Sequence, residues 1–179
     1  MLKVNLRKKF LKIRKKNFDR NIKINYHNFI KPFFKDKKKI VGGYFPVNYE
    51  IDCLNILRVL EKKKFKIALP TIKKKNLMEF YQYSFKDPLK VNKYGIPEPI
   101  SKKIINPDYL IVPLVAFDKN LYRLGYGGGY YDRYLKNAKK RKKILSIGFA
   151  FSFQKFDKLP IDTFDQKLDV VITERKIYK

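Results

Sequence analysis

The stretch Arg123–Arg133, RLGYGGGYYDR, decides how this chain is read. It holds four of the eight glycines, entered by an arginine and left by an Asp-Arg pair. An apolar run, Tyr109 to Ala116, precedes it, and Tyr130 to Lys140 after it is compatible with a helix. Strand, glycine loop and helix start form an arrangement that can receive a phosphate. Backbone without Cβ atoms reaches φ > 0 and approaches a ligand closely, and the free N–H groups of a first helical turn face an anion. No Gly-Lys-Ser/Thr closes the stretch, so it is not a P-loop, and no acid about 20 residues on makes it a dinucleotide fingerprint. Spacing alone leaves two readings open, a phosphate loop and a tight glycine-rich turn.

Outward from that stretch, strands alternate with helices. Ile40 to Phe45, Phe65 to Leu69, Met78 to Tyr83, Tyr109 to Val112, Ile144 to Phe151 and Asp169 to Thr173 read as strands. Pro46, Pro70 and Pro113 are expected to end three of them. Residues 2–18 read as a helix with Leu2, Leu6, Phe10 and Ile13 as its apolar stripe. On it Lys3, Arg7 and Arg14 lie four and seven apart and share another face, by itself a solvated basic stripe. Residues 19–37 are a further helix or an irregular connection. Tyr49-Glu50-Ile51-Asp52 is expected to open a helix with an acidic first turn, which makes Glu50 by itself a helix-start acid. The pattern predicts a three-layer α/β/α sandwich with a central, mainly parallel sheet, built as one domain over residues 1–179.

Composition narrows the chemistry. A 45% hydrophobic and 16% aromatic chain of 179 residues belongs with globular proteins. No window nears 18 consecutive apolar residues, and the basic N-terminus lacks the apolar core of a secretory signal, so a cytoplasmic protein without a membrane partner is expected. Cys53 is the only cysteine, which excludes an intrachain disulfide and a cysteine zinc site, and His27, the only histidine, sits in a polar stretch that points to no triad or metal cluster. Cys53 reads as packing. The net charge of +27 comes mostly from lysine, with only eight arginines among 43 basic residues. Codon bias toward A and T and selection for an anionic ligand both remain open as its cause.

Further motifs follow in order: Lys3-x-x-Leu6-Arg7, Tyr44-Phe45-Pro46, Glu50-Ile51-Asp52, Leu69-Pro70, Gly95-Ile96-Pro97-Glu98-Pro99, Val112-Pro113, Phe117-Asp118 and Asp165-x-x-x-Asp169. With the glycine motif they make the chain resemble the 5-formyltetrahydrofolate cyclo-ligases, the methenyltetrahydrofolate synthetases, over nearly its whole length. The resemblance implies ATP-dependent closure of 5-formyltetrahydrofolate to 5,10-methenyltetrahydrofolate, with Mg²⁺, by a monomer that binds no specific nucleic acid. It implies nucleotide contacts at Lys3 and Arg7 and an ATP loop of Arg123, Leu124, Gly125, Tyr126, Gly127, Gly128, Gly129, Tyr130 and Tyr131. Gly127 to Tyr131 would also lie near the folate, as would Phe45 and Glu50. Arg123, Tyr131 and Asp132 would stand at the reaction centre, and Asp132 and Asp165 would ligate the metal. The substrate could carry a polyglutamate tail.

The chain departs from the family pattern at Leu114 and Leu121, where glycine is common, and at Phe164, where histidine often precedes the second metal aspartate. A rival reading from another class is a basic single-stranded nucleic-acid-binding protein, its aromatics stacking on bases.

Overall fold

The computed structural model describes residues 2–179. Its elements run α1 (Lys3–Asn17), β1 (Ile40–Gly42), α2 (Leu54–Lys62), β2 (Lys66–Ile72), β3 (Met78–Tyr83), β4 (Leu89–Val91), β5 (Pro97–Pro99) and β6 (Tyr109–Pro113). After these come β7 (Ala116–Phe117), β8 (Arg123–Leu124), α3 (Tyr130–Arg141), β9 (Leu145–Phe149), β10 (Val170–Ile172) and β11 (Ile177–Tyr178). Seven strands form one sheet in the order β11-β10-β9-β6-β1-β2-β3. The five inner strands are parallel, and the two edge strands, β3 and β11, are antiparallel to their neighbours. The α/β sandwich with a mainly parallel sheet is therefore borne out.

The side-chain period of two builds the layers. Ile67, Leu69, Ile111, Ile147, Val170 and Ile172 point to one face, where Ile56, Leu57 and Leu60 of α2 cover them. Ala68, Leu110, Val112 and Val171 point to the other, under Tyr134, Leu135 and Ala138 of α3. Strands covered on both faces carry near-continuous apolar runs, which is why Tyr109 to Val112 was legible. Each fully buried Leu or Ile in these layers contributes about 1.5–3 kcal/mol. Residues 19–37 are an irregular connection with one π-helical turn, Tyr26–Ile30. They press Ile24, Ile30 and Phe34 into the α2 layer.

The connection order places the site. From β1 the chain moves through α2 to β2 on one side, and from β6 it moves through α3 to β9 on the other. The order therefore reverses between β1 and β6. Crevices at the carboxyl ends of strands at such a switch point are where ligands bind in open α/β sheets. Helix α1 covers neither face. Its Leu6 and Phe10 pack on Val115, Ala116, Leu124 and Leu159 across the carboxyl ends of the strands.

Three local expectations are corrected. No helix opens at Tyr49: Asn48 and Tyr49 have φ of 48° and 63°, a left-handed backbone that cannot continue as α-helix. Helix α2 begins at Leu54 with no acid in its first turn, and the Asp52 carboxylate accepts from the Leu54 N–H (2.7 Å) just ahead of it. Pro70 does not end β2, which runs on to Ile72. It pairs with Phe80 of β3, whose carbonyl accepts instead from Ile105, and β1 ends opposite Ala68, so no ladder bond calls for the missing N–H. The third correction is a gain, two ribbons whose strands of two or three residues are too short to show an alternation: β4 with β5, and β7 with β8. Leu121 turns the second ribbon at φ 66°, the conformation for which glycine is the usual residue. Burial of its side chain in the α3 layer offsets the strain.

Candidate active site

The glycine stretch leaves β8, which is buried, and ends at α3. Gly127 (φ 104°) and Gly129 (φ 64°) take conformations that side chains disfavour, so glycine is required there. Gly129 caps α3 without a side-chain hydrogen bond, and the first N–H accepted by its carbonyl is that of Arg133. The N–H groups of Tyr130, Tyr131 and Asp132 therefore have no intrahelical acceptor. Arg7 Nε donates to the Gly125 carbonyl at 2.8 Å, and its guanidinium lies over Gly127. Loop, helix start and cation make a cradle for an anion.

Beside the cradle stand the acids. Arg123, with its side chain 3% exposed, donates to Asp132 Oδ1 at 2.8 Å and to the Gln166 carbonyl at 2.9 Å. Asp132 Oδ1 also accepts from the Gln166 N–H at 3.0 Å, which brings the residue after Asp165 against it. Lys3 Nζ bridges Asp162 (2.7 Å) and Asp165 (2.5 Å). Burial pulls the Lys3 ammonium down, but its hydrogen bonds and charge attraction with Asp162 and Asp165 leave it raised. No group of three or more His, Cys, Asp or Glu suited to a metal occurs among the described residues. Mg²⁺ does not need one, since it commonly takes one or two carboxylates with phosphates and water. Asp132 and Asp165 fit that donor set.

The opposite wall is apolar and aromatic except for one acid. Glu50 is 6% exposed. Its Oε2 accepts from the Val47 N–H at 2.8 Å, while Oε1 has no partner among the described residues. Burial pushes its carboxyl up to about 7, against the pull of the Val47 N–H and the Arg14 guanidinium. A buried carboxylate with one open oxygen in a cleft is built to accept from a ligand's N–H groups. Phe45 lies on the same wall.

The candidate site residues line one cleft of about 1190 Å³: Lys3, Arg7, Phe45, Glu50, Arg123 to Asp132, and Asp165. Single small-molecule pockets run to about 1,000 Å³, so this cleft is large for one ligand. Arg14, by contrast, is fully buried rather than solvated. Sequence reading missed Asp162, Ile72, Met78 and Tyr94, which also line the cleft. For Asp162 the available signal was its spacing of three from Asp165. The apolar residues carried none, because an exposed-looking Ile or Tyr in a turn says nothing about what it faces.

Comparison with known proteins agrees with this geometry. The description of the 5-formyltetrahydrofolate cyclo-ligase family matches residues 3–174. A 5-formyltetrahydrofolate cyclo-ligase of Haemophilus influenzae is 34% identical over 142 residues, 75% of each chain. The solved structure of 5,10-methenyltetrahydrofolate synthetase from Aquifex aeolicus superposes with a TM-score of 0.77 at 35% identity, covering 100% of this chain and 93% of that one. That of the Mycoplasma pneumoniae synthetase gives 0.73 at 26% identity, covering 97% and 99%. With residues 3–174 matched by the family's description and solved synthetases superposing over nearly the whole length, the chain belongs to the 5-formyltetrahydrofolate cyclo-ligase family.

Proposed function

We propose that the chain closes 5-formyltetrahydrofolate to 5,10-methenyltetrahydrofolate at the expense of ATP, releasing ADP and phosphate. The observation that carries this reading is the convergence, in one cleft at the switch point, of an anion cradle, paired carboxylates and a buried acid with an open oxygen.

The reaction explains the residue types. An N-formyl oxygen is a poor leaving group. Transfer of the γ-phosphoryl to it forms an O–P bond and breaks the bond to ADP. N10 then attacks the formyl carbon, and the C–O bond breaks with departure of phosphate. This chemistry asks for positioning and charge neutralisation more than for a protein nucleophile. The chain's single His and single Cys are consistent with that demand.

Lys3, Arg7 and the N–H groups of the loop hold the ATP phosphates, with Leu124, Gly125 and Tyr126 forming the entry to the loop. Lys3 must then exchange its two aspartates for phosphate oxygens. Asp132 and Asp165 would hold Mg²⁺, which neutralises phosphate charge when bound. Arg123 is committed to Asp132 and the Gln166 carbonyl, and so keeps that carboxylate aimed at the phosphates. Phe45 packs on the pterin, and Glu50 accepts from pterin N–H groups. Gly127 to Tyr131 lie where the two ligands meet. The protein works as a cytoplasmic monomer whose positive charge favours polyglutamylated folate, a preference that should weaken with ionic strength. A nucleic-acid-binding role would leave the cradle and Glu50 without a task.

Purified protein is expected to form the methenyl product, followed by its near-ultraviolet absorbance, only when both ATP and Mg²⁺ are present. No absorbance rise under those conditions refutes the reading. Gly127→Ala is expected to raise the KM for ATP about tenfold or more and to cost about 1 kcal/mol of stability, since φ of 104° is strained for alanine. Its Cβ would also meet the Arg7 guanidinium at 3.4 Å. An unchanged KM would remove the loop from the nucleotide site.

A further inference from the structure

Arg14 is among the largest fully buried side chains, yet it has no carboxylate within ion-pairing distance among the described residues. Its Nη1 donates to the Leu114 carbonyl at 3.1 Å and its Nη2 to the Tyr126 hydroxyl, while Nε has no partner among the described residues. The guanidinium also sits 5.5 Å from the centre of the Tyr126 ring. An unpaired buried guanidinium is costly, so its retention here calls for a reason beyond packing.

Tyr126 supplies one. The residue is 41% exposed and lines the cleft, but its hydroxyl lies against both the Arg14 guanidinium and the Glu50 carboxyl. A guanidinium has only donors. The hydroxyl oxygen must therefore accept from Arg14, which leaves its own proton to point elsewhere. The acceptor on that side is the Glu50 carboxyl, whose Oε1 accepts from no other donor among the described residues.

We propose that Arg14 is a positioning residue for the folate site: by donating to the Tyr126 hydroxyl it turns that proton toward Glu50 and so holds the carboxylate that grips the substrate. The proposal rests on the assignment of Glu50 to the folate. Besides the Val47 N–H, the polar and titratable groups acting on Glu50 among the described residues are few. They are Arg14 from α1, Tyr126 from the glycine loop, Tyr131 from α3, and Tyr44 and Cys53 from the segment between β1 and α2. Arg14 is the one cation among them. Without it the carboxyl would bind its proton more tightly and be less often ionised near neutral pH, where burial already places its titration at about 7.

The test has two readouts on the full-length protein. The first is the ¹³C NMR titration of the Glu50 carboxyl, assigned against Glu50→Gln. Arg14→Met and Tyr126→Phe are each expected to move its midpoint up, Arg14→Lys to leave it near the wild-type value, and the double variant to add little. The second is 5-formyltetrahydrofolate binding by calorimetry from about pH 6 to 9. Arg14→Met should weaken binding about tenfold near pH 7, with recovery at the alkaline end and kcat within about twofold. A midpoint that does not move in either single variant overturns the proposal. So does an affinity loss that is equal at every pH, which would mark Arg14 as structural. Absence of folate binding by the wild type would instead overturn the folate assignment, and the carboxyl titration would still decide whether Arg14 acts on Glu50. Should Arg14→Met fail to fold, Tyr126→Phe carries the same decision.

Discussion

Asp132→Asn is expected to lower turnover about 100-fold or more, the scale on which loss of one electrostatic partner at a reacting centre is felt. Cys53→Thr, in contrast, should leave turnover within about twofold, because a buried threonine hydroxyl can donate to the Tyr44 carbonyl as the thiol does. The asparagine can still accept from Arg123 and the Gln166 N–H through its carbonyl oxygen, so the local geometry survives. What disappears is the charge. A buried guanidinium then lacks its counter-ion, which costs about 3 kcal/mol of stability, and the metal loses a hard oxygen ligand. Turnover, melting temperature and the Mg²⁺ concentration for half-maximal rate separate these effects. A fall in turnover with an unchanged Mg²⁺ requirement would make Asp132 a partner of Arg123 only, and equal effects at Asp132 and Cys53 would undo the metal assignment.

Glu50→Gln is expected to do two opposite things. The KM for folate should rise about 100-fold, because a ligand N–H would meet an amide NH₂ or a weaker acceptor in a buried site. Stability should increase at alkaline pH. The folded protein holds the Glu50 carboxyl at about 7, above the usual 4.5. The fold therefore binds this proton more tightly than the unfolded chain does. Its contribution is complete below about pH 4.5 and is lost as pH rises through 7, leaving a deficit of about 3 kcal/mol above that. Glutamine carries no charge to desolvate, so the variant should gain about 2–3 kcal/mol over wild type at pH 8 and little at pH 4. Denaturant unfolding at the two pH values checks this, and a stability difference that does not change with pH would show that Glu50 is not the desolvated acid described above. A gain in stability bought with lost affinity is what a binding carboxylate held in a dry site should show.

Much of the molecule was legible in short windows. Tyr109 to Val112 and Met78 to Tyr83 read as strands because runs and alternation report which faces are covered. Residues 2–18 read as a helix because their apolar positions recur at helical spacing, and Tyr130 to Lys140 as compatible with one; the helices run Lys3–Asn17 and Tyr130–Arg141. The glycine loop stood out because only glycine tolerates the backbone at 127 and 129. Where local propensity met tertiary demand, the reading failed. Glu50 and Asp52 look like a helix start, yet the turn at Asn48 and Tyr49 sends Glu50 into the cleft instead. Pro70 looks like a strand end, yet it sits where β1 has already stopped and no N–H is missed.

The sequence by itself determined the layers, the loop and the family motifs, since each depends on residues a few positions apart. Only the tertiary structure decided what three basic residues at helical spacing do: Lys3 bridges two aspartates about 160 positions away, Arg7 lies over the glycine loop, and Arg14 is buried against Tyr126. It also decided that Glu50 is a desolvated acid rather than a cap. Charge pairing and desolvation depend on which distant segments exclude water, and no window of sequence contains that information.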